Sequence, residues 1–81
     1  MRLKVEFDST LVAEGVNKRV WLFVADGTVA NIKQLARVIL REFGLKHVRS
    51  QDVALYKDGF LLPPLQPLSL ISDSDAVWFV W

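Results

Sequence analysis

The chain has 81 residues, no cysteine, and ten basic against nine acidic side chains for a formal net charge of +1. That length limits it to one domain spanning 1–81, the near-neutral balance removes a strong electrostatic case for nucleic acid or a membrane surface, and the missing cysteines exclude disulfides and thiolate zinc sites. A 52% hydrophobic content and a mean hydropathy of +0.27 are high for so small a domain. Some apolar side chains are therefore expected outside the core, which points first to a binding role. A reducing intracellular compartment suits a cysteine-free chain. No segment approaches the roughly 18 uninterrupted apolar residues of a membrane span, and the N-terminus has no signal-peptide core, so neither a spanning nor a secreted protein is expected.

In chain order, Arg2-Leu3-Lys4-Val5-Glu6-Phe7 alternates polar and apolar without a break. The pattern predicts a strand that buries Leu3, Val5 and Phe7 and sends Arg2, Lys4 and Glu6 to the other side. The connection from Asp8 to Lys18, with Gly15 and Asn17, is too long for a two-residue hairpin and predicts a widened loop. Arg19 to Val24 resumes as a strand in which both parities are apolar, so either Val20, Leu22 and Val24 or Trp21 and Phe23 face inward.

A helix is expected from about Val29 to Phe43, with Thr28 as N-cap and Gly44 closing it in a left-handed conformation. Ile32, Leu35, Ala36, Ile39 and Phe43 repeat along one face, Val38 lies off that stripe, and Lys33, Gln34, Arg37 and Arg41 gather opposite as a solvated surface. Val53 to Tyr56 then reads as a strand, Asp58-Gly59 as a tight turn, and Phe60 to Leu62 as a short return that Pro63 and Pro64 confine to a sheet edge. Leu65 to Asp75 reads as a loop anchored by Leu68, Leu70 and Ile71. The Ser72-Asp73-Ser74-Asp75 turn leads into a final strand, Ala76 to Trp81.

No catalytic constellation emerges. His47 is the sole histidine and lacks partners at metal-ligand or general-base spacing, so it reads as a loop residue. Asp73 and Asp75 read as turn formers rather than acid/base or calcium groups. Gly27, Gly44 and Gly59 are isolated, with no phosphate-binding loop among them. No cofactor or metal is expected, and no enzymatic activity.

The element order fits an α+β fold of the β-grasp type: a mixed sheet of four to five strands, one main helix across it, and the last strand beside the first. On these residues the chain resembles the N-terminal domain of the coilin family. The resemblance is carried by Arg2 to Asp8, Trp21-Leu22-Phe23-Val24, Arg41-Glu42-Phe43-Gly44, above all Gly59-Phe60-Leu61-Leu62-Pro63-Pro64, and Leu70, Asp73 and Asp75. It implies a ubiquitin-like fold and a self-associating module at the head of a longer, mostly disordered nuclear scaffold protein that organises Cajal bodies. Two departures concern the surface. Trp78 and Val80 stand where relatives often carry charge, and Ala30 where vertebrate members offer a basic residue.

The expected self-association surface combines Arg2 and Lys4 with Trp78 and Val80 on the neighbouring strand. Asp73 and Asp75 of a second copy are the expected acidic counterpart, in a homo-oligomer of head-to-tail geometry. The Lys33, Arg37 and Arg41 helix face is the alternative surface. Two other readings stay open: docking of another nuclear-body protein, and contact of single-stranded RNA with a basic and aromatic sheet surface of Arg2, Lys4, Trp78 and, in one orientation of its strand, Trp21. Membrane binding is not expected.

Overall fold

The computed structural model describes residues 1–8, 19–45 and 47–81. The expected loop from Asp8 to Lys18 lies almost wholly outside the described residues. Five strands, β1 (Arg2–Phe7), β2 (Arg19–Phe23), β3 (Ala54–Lys57), β4 (Phe60–Leu62) and β5 (Ala76–Val80), form one sheet in the order β2-β1-β5-β3-β4. β1 and β5 are parallel and the other pairs antiparallel. This is the expected β-grasp, with the last strand beside the first and β4 at an edge.

One helix, α1 (Ile32–Glu42), covers one face of the sheet. Strand alternation on β1 puts Leu3, Val5 and Phe7 in the core, where they meet Val77 and Phe79 of β5, Leu55 of β3 and the Leu35–Ile39 stripe of α1. The ambiguity on β2 resolves one way: Leu22 and Val24 are buried and Val20 half-buried, while Trp21 and Phe23 are 58% and 69% exposed. Register decides this, because Leu22 pairs with buried Leu3 and Val20 with buried Val5. The helix stripe is wider than expected, since Leu40 is buried and Val38 packs partly against the core. Phe43 is half-buried and meets Phe7 edge-on at 5.2 Å between ring centroids.

The helix start differs from expectation. Asn31, not Thr28, is the N-cap, and the helix begins at Ile32 rather than near Val29. The Asn31 side-chain oxygen accepts from the Gln34 amide at 2.9 Å, and Gln34 Oε1 accepts from the Ala30 amide at 2.8 Å, close to a capping box. The reason is tertiary. The free first-turn amides of Ile32 and Lys33 donate to the carbonyls of Gln66 and Pro64, and the Leu68 amide donates to Ala30, so the loop after β4 fixes where the helix starts. At the other end Gly44, at φ +68°, turns the chain so that its own amide reaches Arg41 and that of Leu45 reaches Leu40. Those two bonds are a Schellman motif, as expected of that glycine.

Asp58 and Gly59 take φ of +54° and +83°, which suits a type I′ hairpin turn between β3 and β4. Of the three expected anchors in the loop after β4, Ile71 is buried and Leu68 half-buried, but Leu70 is exposed. A 3-10 turn at Leu68–Leu70 carries Leu70 outward.

Candidate functional site

With one helix on one side, the opposite face of the sheet has no covering layer among the described residues. The register places Arg19, Glu6, Trp78, Tyr56 and Leu61 in one row that crosses all five strands. Trp21, Lys4 and Ala76 form the next row, and Phe23 stands opposite Arg2. All carry the outward parity, because their neighbours along each strand are the core residues. Val80, paired with Ala54, shares that parity and is half-buried.

The arrangement brings Arg2, Lys4, Trp78 and Val80 onto one face, as alternation required. It adds Phe23, Tyr56 and Leu61, which sequence reasoning did not assign to the site, and places Trp21, which the sequence offered beside Trp78 only for the RNA-binding alternative, on the same face. The undecided parity of β2 hid Phe23, while Tyr56 and Leu61 follow only from the pairing of β3 with β5 and β4. Lys4 Nζ lies 5.3 Å and the Arg2 guanidinium carbon 5.9 Å from the centroid of the Trp21 ring. Both distances are within cation–π range. Trp78 is 44% exposed and its ring tilts against Tyr56 at 5.8 Å. Arg19 is ion-paired to Glu6 at 3.2 Å, and a shallow depression of about 300 Å³ lies among Lys4, Glu6, Arg19, Trp21 and Ala76.

Asp73 and Asp75, the expected acidic counterpart on a second copy, lie beside basic residues of their own chain. One Asp73 carboxylate oxygen accepts the backbone amide of Arg2 at 2.7 Å, and the other lies 3.6 Å from the Arg2 guanidinium. Asp75 is paired to Lys57 at 2.7 Å and also accepts the Ser72 amide at 2.7 Å. The amide of Arg2 holds the Asp73 carboxyl below its ordinary range, and the Lys57 ammonium, with the Ser72 amide, does the same for Asp75. Both aspartates thus close the turn before β5 onto their own chain. Asp73 nonetheless keeps a side-chain exposure of 57%.

Lys33, Arg37 and Arg41 are exposed on α1, on the far side of the sheet from Trp78, so the two candidate surfaces do not merge. A groove of about 410 Å³ runs beside that helix, lined by Ile32, Ala36, Val53, Leu61 and Leu65. His47 stands 6.3 Å from the Trp81 ring. Among the described residues, no three His, Cys, Asp or Glu side chains come together as a metal site, and no helix is long and apolar enough to cross a membrane.

Among curated proteins nothing matches this chain. A solved structure described as "Molecular Mimicry of SUMO promotes DNA repair" aligns with a TM-score of 0.73 and 16% identity, over 100% of this chain and 90% of that one. At that identity the likeness establishes the fold, a ubiquitin-like β-grasp. The family described as "Coilin N-terminus" matches residues 1–80, the span over which the strand, hairpin and double-proline pattern resembled it, and the chain therefore belongs to the coilin N-terminal family.

Proposed function

We propose that this domain works by binding without catalytic turnover, and that it self-associates as the head of a longer nuclear scaffold protein that organises Cajal bodies. The observation that carries the reading is the uncovered sheet face, where Trp21, Phe23 and Trp78 are exposed beside Arg2 and Lys4. Large aromatic side chains held on a rigid sheet are what an interface core uses, since each full burial releases roughly 1.5 to 3 kcal/mol. Membership in the coilin N-terminal family supports a nuclear scaffold role, and neither that family nor the ubiquitin-like fold is a catalytic kind. The sequence-based interface of Arg2, Lys4, Trp78 and Val80 is retained. Asp73 and Asp75 act within each copy, holding β1 and the turn before β5 together.

Sedimentation velocity across a wide concentration range tests the reading. Wild type is expected to sediment faster as concentration rises, and Trp78→Ala to shift that rise to higher concentration. A wild-type domain that stays monomeric throughout removes self-association from its function. Single-stranded RNA is the second reading for the same face. It is less favoured because Arg2 and Lys4 already occupy the Trp21 ring, which a base would have to share.

A further inference from the structure

β2 is an edge strand, and its hydrogen-bonding pattern shows which of its backbone groups are unused. Met1 and Val24 exchange two bonds, with the Val24 amide reaching the Met1 carbonyl at 2.7 Å and the Met1 amino group the Val24 carbonyl at 2.8 Å. In an antiparallel ladder bonded and non-bonded pairs alternate. The register therefore makes Leu3–Leu22 and Val5–Val20 bonded pairs, and turns the amides and carbonyls of Arg19, Trp21 and Phe23 away from β1. The even positions of β1 agree, since Lys4 donates to the Asp75 carbonyl and Ser74 donates to that of Arg2, both on the β5 side. Among the described residues nothing pairs with the outer backbone of Arg19, Trp21 or Phe23. Edge strands are ordinarily blunted by lysine, proline, a bulge or a covering segment. Arg19–Phe23 has no lysine, proline or bulge and carries two exposed aromatics on its open side.

We propose that β2 pairs antiparallel with β2 of a second copy, about a two-fold axis centred on Trp21. This deepens the self-association reading and rests on it. In that register Trp21 faces Trp21 of the second copy and Arg19 faces Phe23, so every outward backbone group on the edge finds its complement, each pair exchanging two N–H···O bonds. A register shifted by two leaves one residue of each copy unpaired, and a shift by one sets outward groups against inward ones. Charge favours the same centre. The two Arg19 side chains stand roughly 13 Å apart at strand spacing, beyond the Debye length of about 8 Å at physiological salt, and each lies against a partner aromatic ring. The axis is perpendicular to the sheet, so both helices stay on one face and both aromatic faces on the other. Trp78 and Tyr56 lie outside this contact, which leaves the sheet face free for another. At 58% and 69% exposure, the four β2 aromatics of the two copies can bring at most roughly 400 to 600 Å² of side chain to the contact. That is the size of a weak contact and fits a dimer that forms only as concentration rises.

Amide hydrogen exchange across a dilution series, with Trp21→Pro and Phe23→Lys as variants, tests the pairing. The Trp21 amide points outward, so proline there removes an edge donor and no ladder bond of the monomer. In dilute wild type the amides of Val20 and Leu22 should be protected and those of Arg19, Trp21 and Phe23 should exchange fast. As concentration rises those three should become protected. Each variant should associate about tenfold or more weakly than wild type; if the proline variant fails to fold, Phe23→Lys and the exchange pattern decide. A wild type that associates while the three amides stay unprotected overturns edge pairing, whatever the variants do, and leaves self-association standing. A wild type that never associates overturns both.

Discussion

Asp73 and Asp75 hold the one turn that ties the start of β1 to the start of β5, and both do so as carboxylates. The Asp73 charge is favoured by the Arg2 amide and guanidinium, that of Asp75 by the Lys57 ammonium and the Ser72 amide. A group whose folded pKa is depressed contributes stability above its unfolded pKa and loses it as pH falls through the folded value. Unfolding free energy should therefore vary little with pH well above the ordinary aspartate value of about 3.9 and fall as pH drops below it. Asp73→Asn and Asp75→Asn should each flatten that slope, because a side-chain amide does not take up the proton. Urea titrations at several pH values check this. Parallel slopes in wild type and both Asp→Asn variants would place the acid sensitivity elsewhere. The turn itself was legible, since Asp and Ser crowd together there. The partners were not, because Arg2 and Asp73 are 71 residues apart in sequence and meet only once β1 and β5 pair.

At the level of elements, α1 shows how far local pattern reaches. Its buried face was readable from the spacing of Ile32, Leu35, Ala36 and Ile39, and its end from Gly44. Its beginning was not, because Thr28 and Asn31 are both competent caps and the choice is made by the loop from Pro63 to Leu68. Asn31→Ala should cost about 1 kcal/mol, whereas Thr28→Ala, with no capping bond to lose, should stay within about 0.5 kcal/mol of wild type. Equal losses in the two variants would put the cap back at Thr28. Leu35 is fully buried, and Leu35→Ala should cost about 2 to 5 kcal/mol by removing side-chain atoms from the middle of the stripe. β2 marks the opposite limit. With Val and Leu on one parity and Trp and Phe on the other, periodicity carries no inward direction. The candidate face therefore came out of the sequence with Trp78 and Val80 but without Phe23.

For the whole molecule, the asymmetry of one covered and one open sheet face ties association to folding. The aromatic rows exist only when all five strands are in register, so the proposed second copy would bind the folded state and not the unfolded chain. Any such partner raises apparent stability by RT ln(1 + [L]/Kd), about 1.4 kcal/mol when its concentration is tenfold above Kd, and each kcal/mol is worth roughly 4 to 8 °C in Tm for a domain of this size. The melting temperature of wild type should therefore climb by several degrees between dilute and concentrated samples, whereas a monomer's would not move. Salt separates the contributions. Arg2 and Lys4 are exposed and their attraction to a second copy is screened, whereas burial of Trp78 is not. Arg2→Ala should reduce the concentration dependence most at low ionic strength, and Trp78→Ala at every ionic strength. Should Tm climb with concentration equally in wild type and both variants, the contact would lie away from Arg2 and Trp78, leaving the β2 edge, tested by its own variants, and then the Lys33, Arg37 and Arg41 surface of α1.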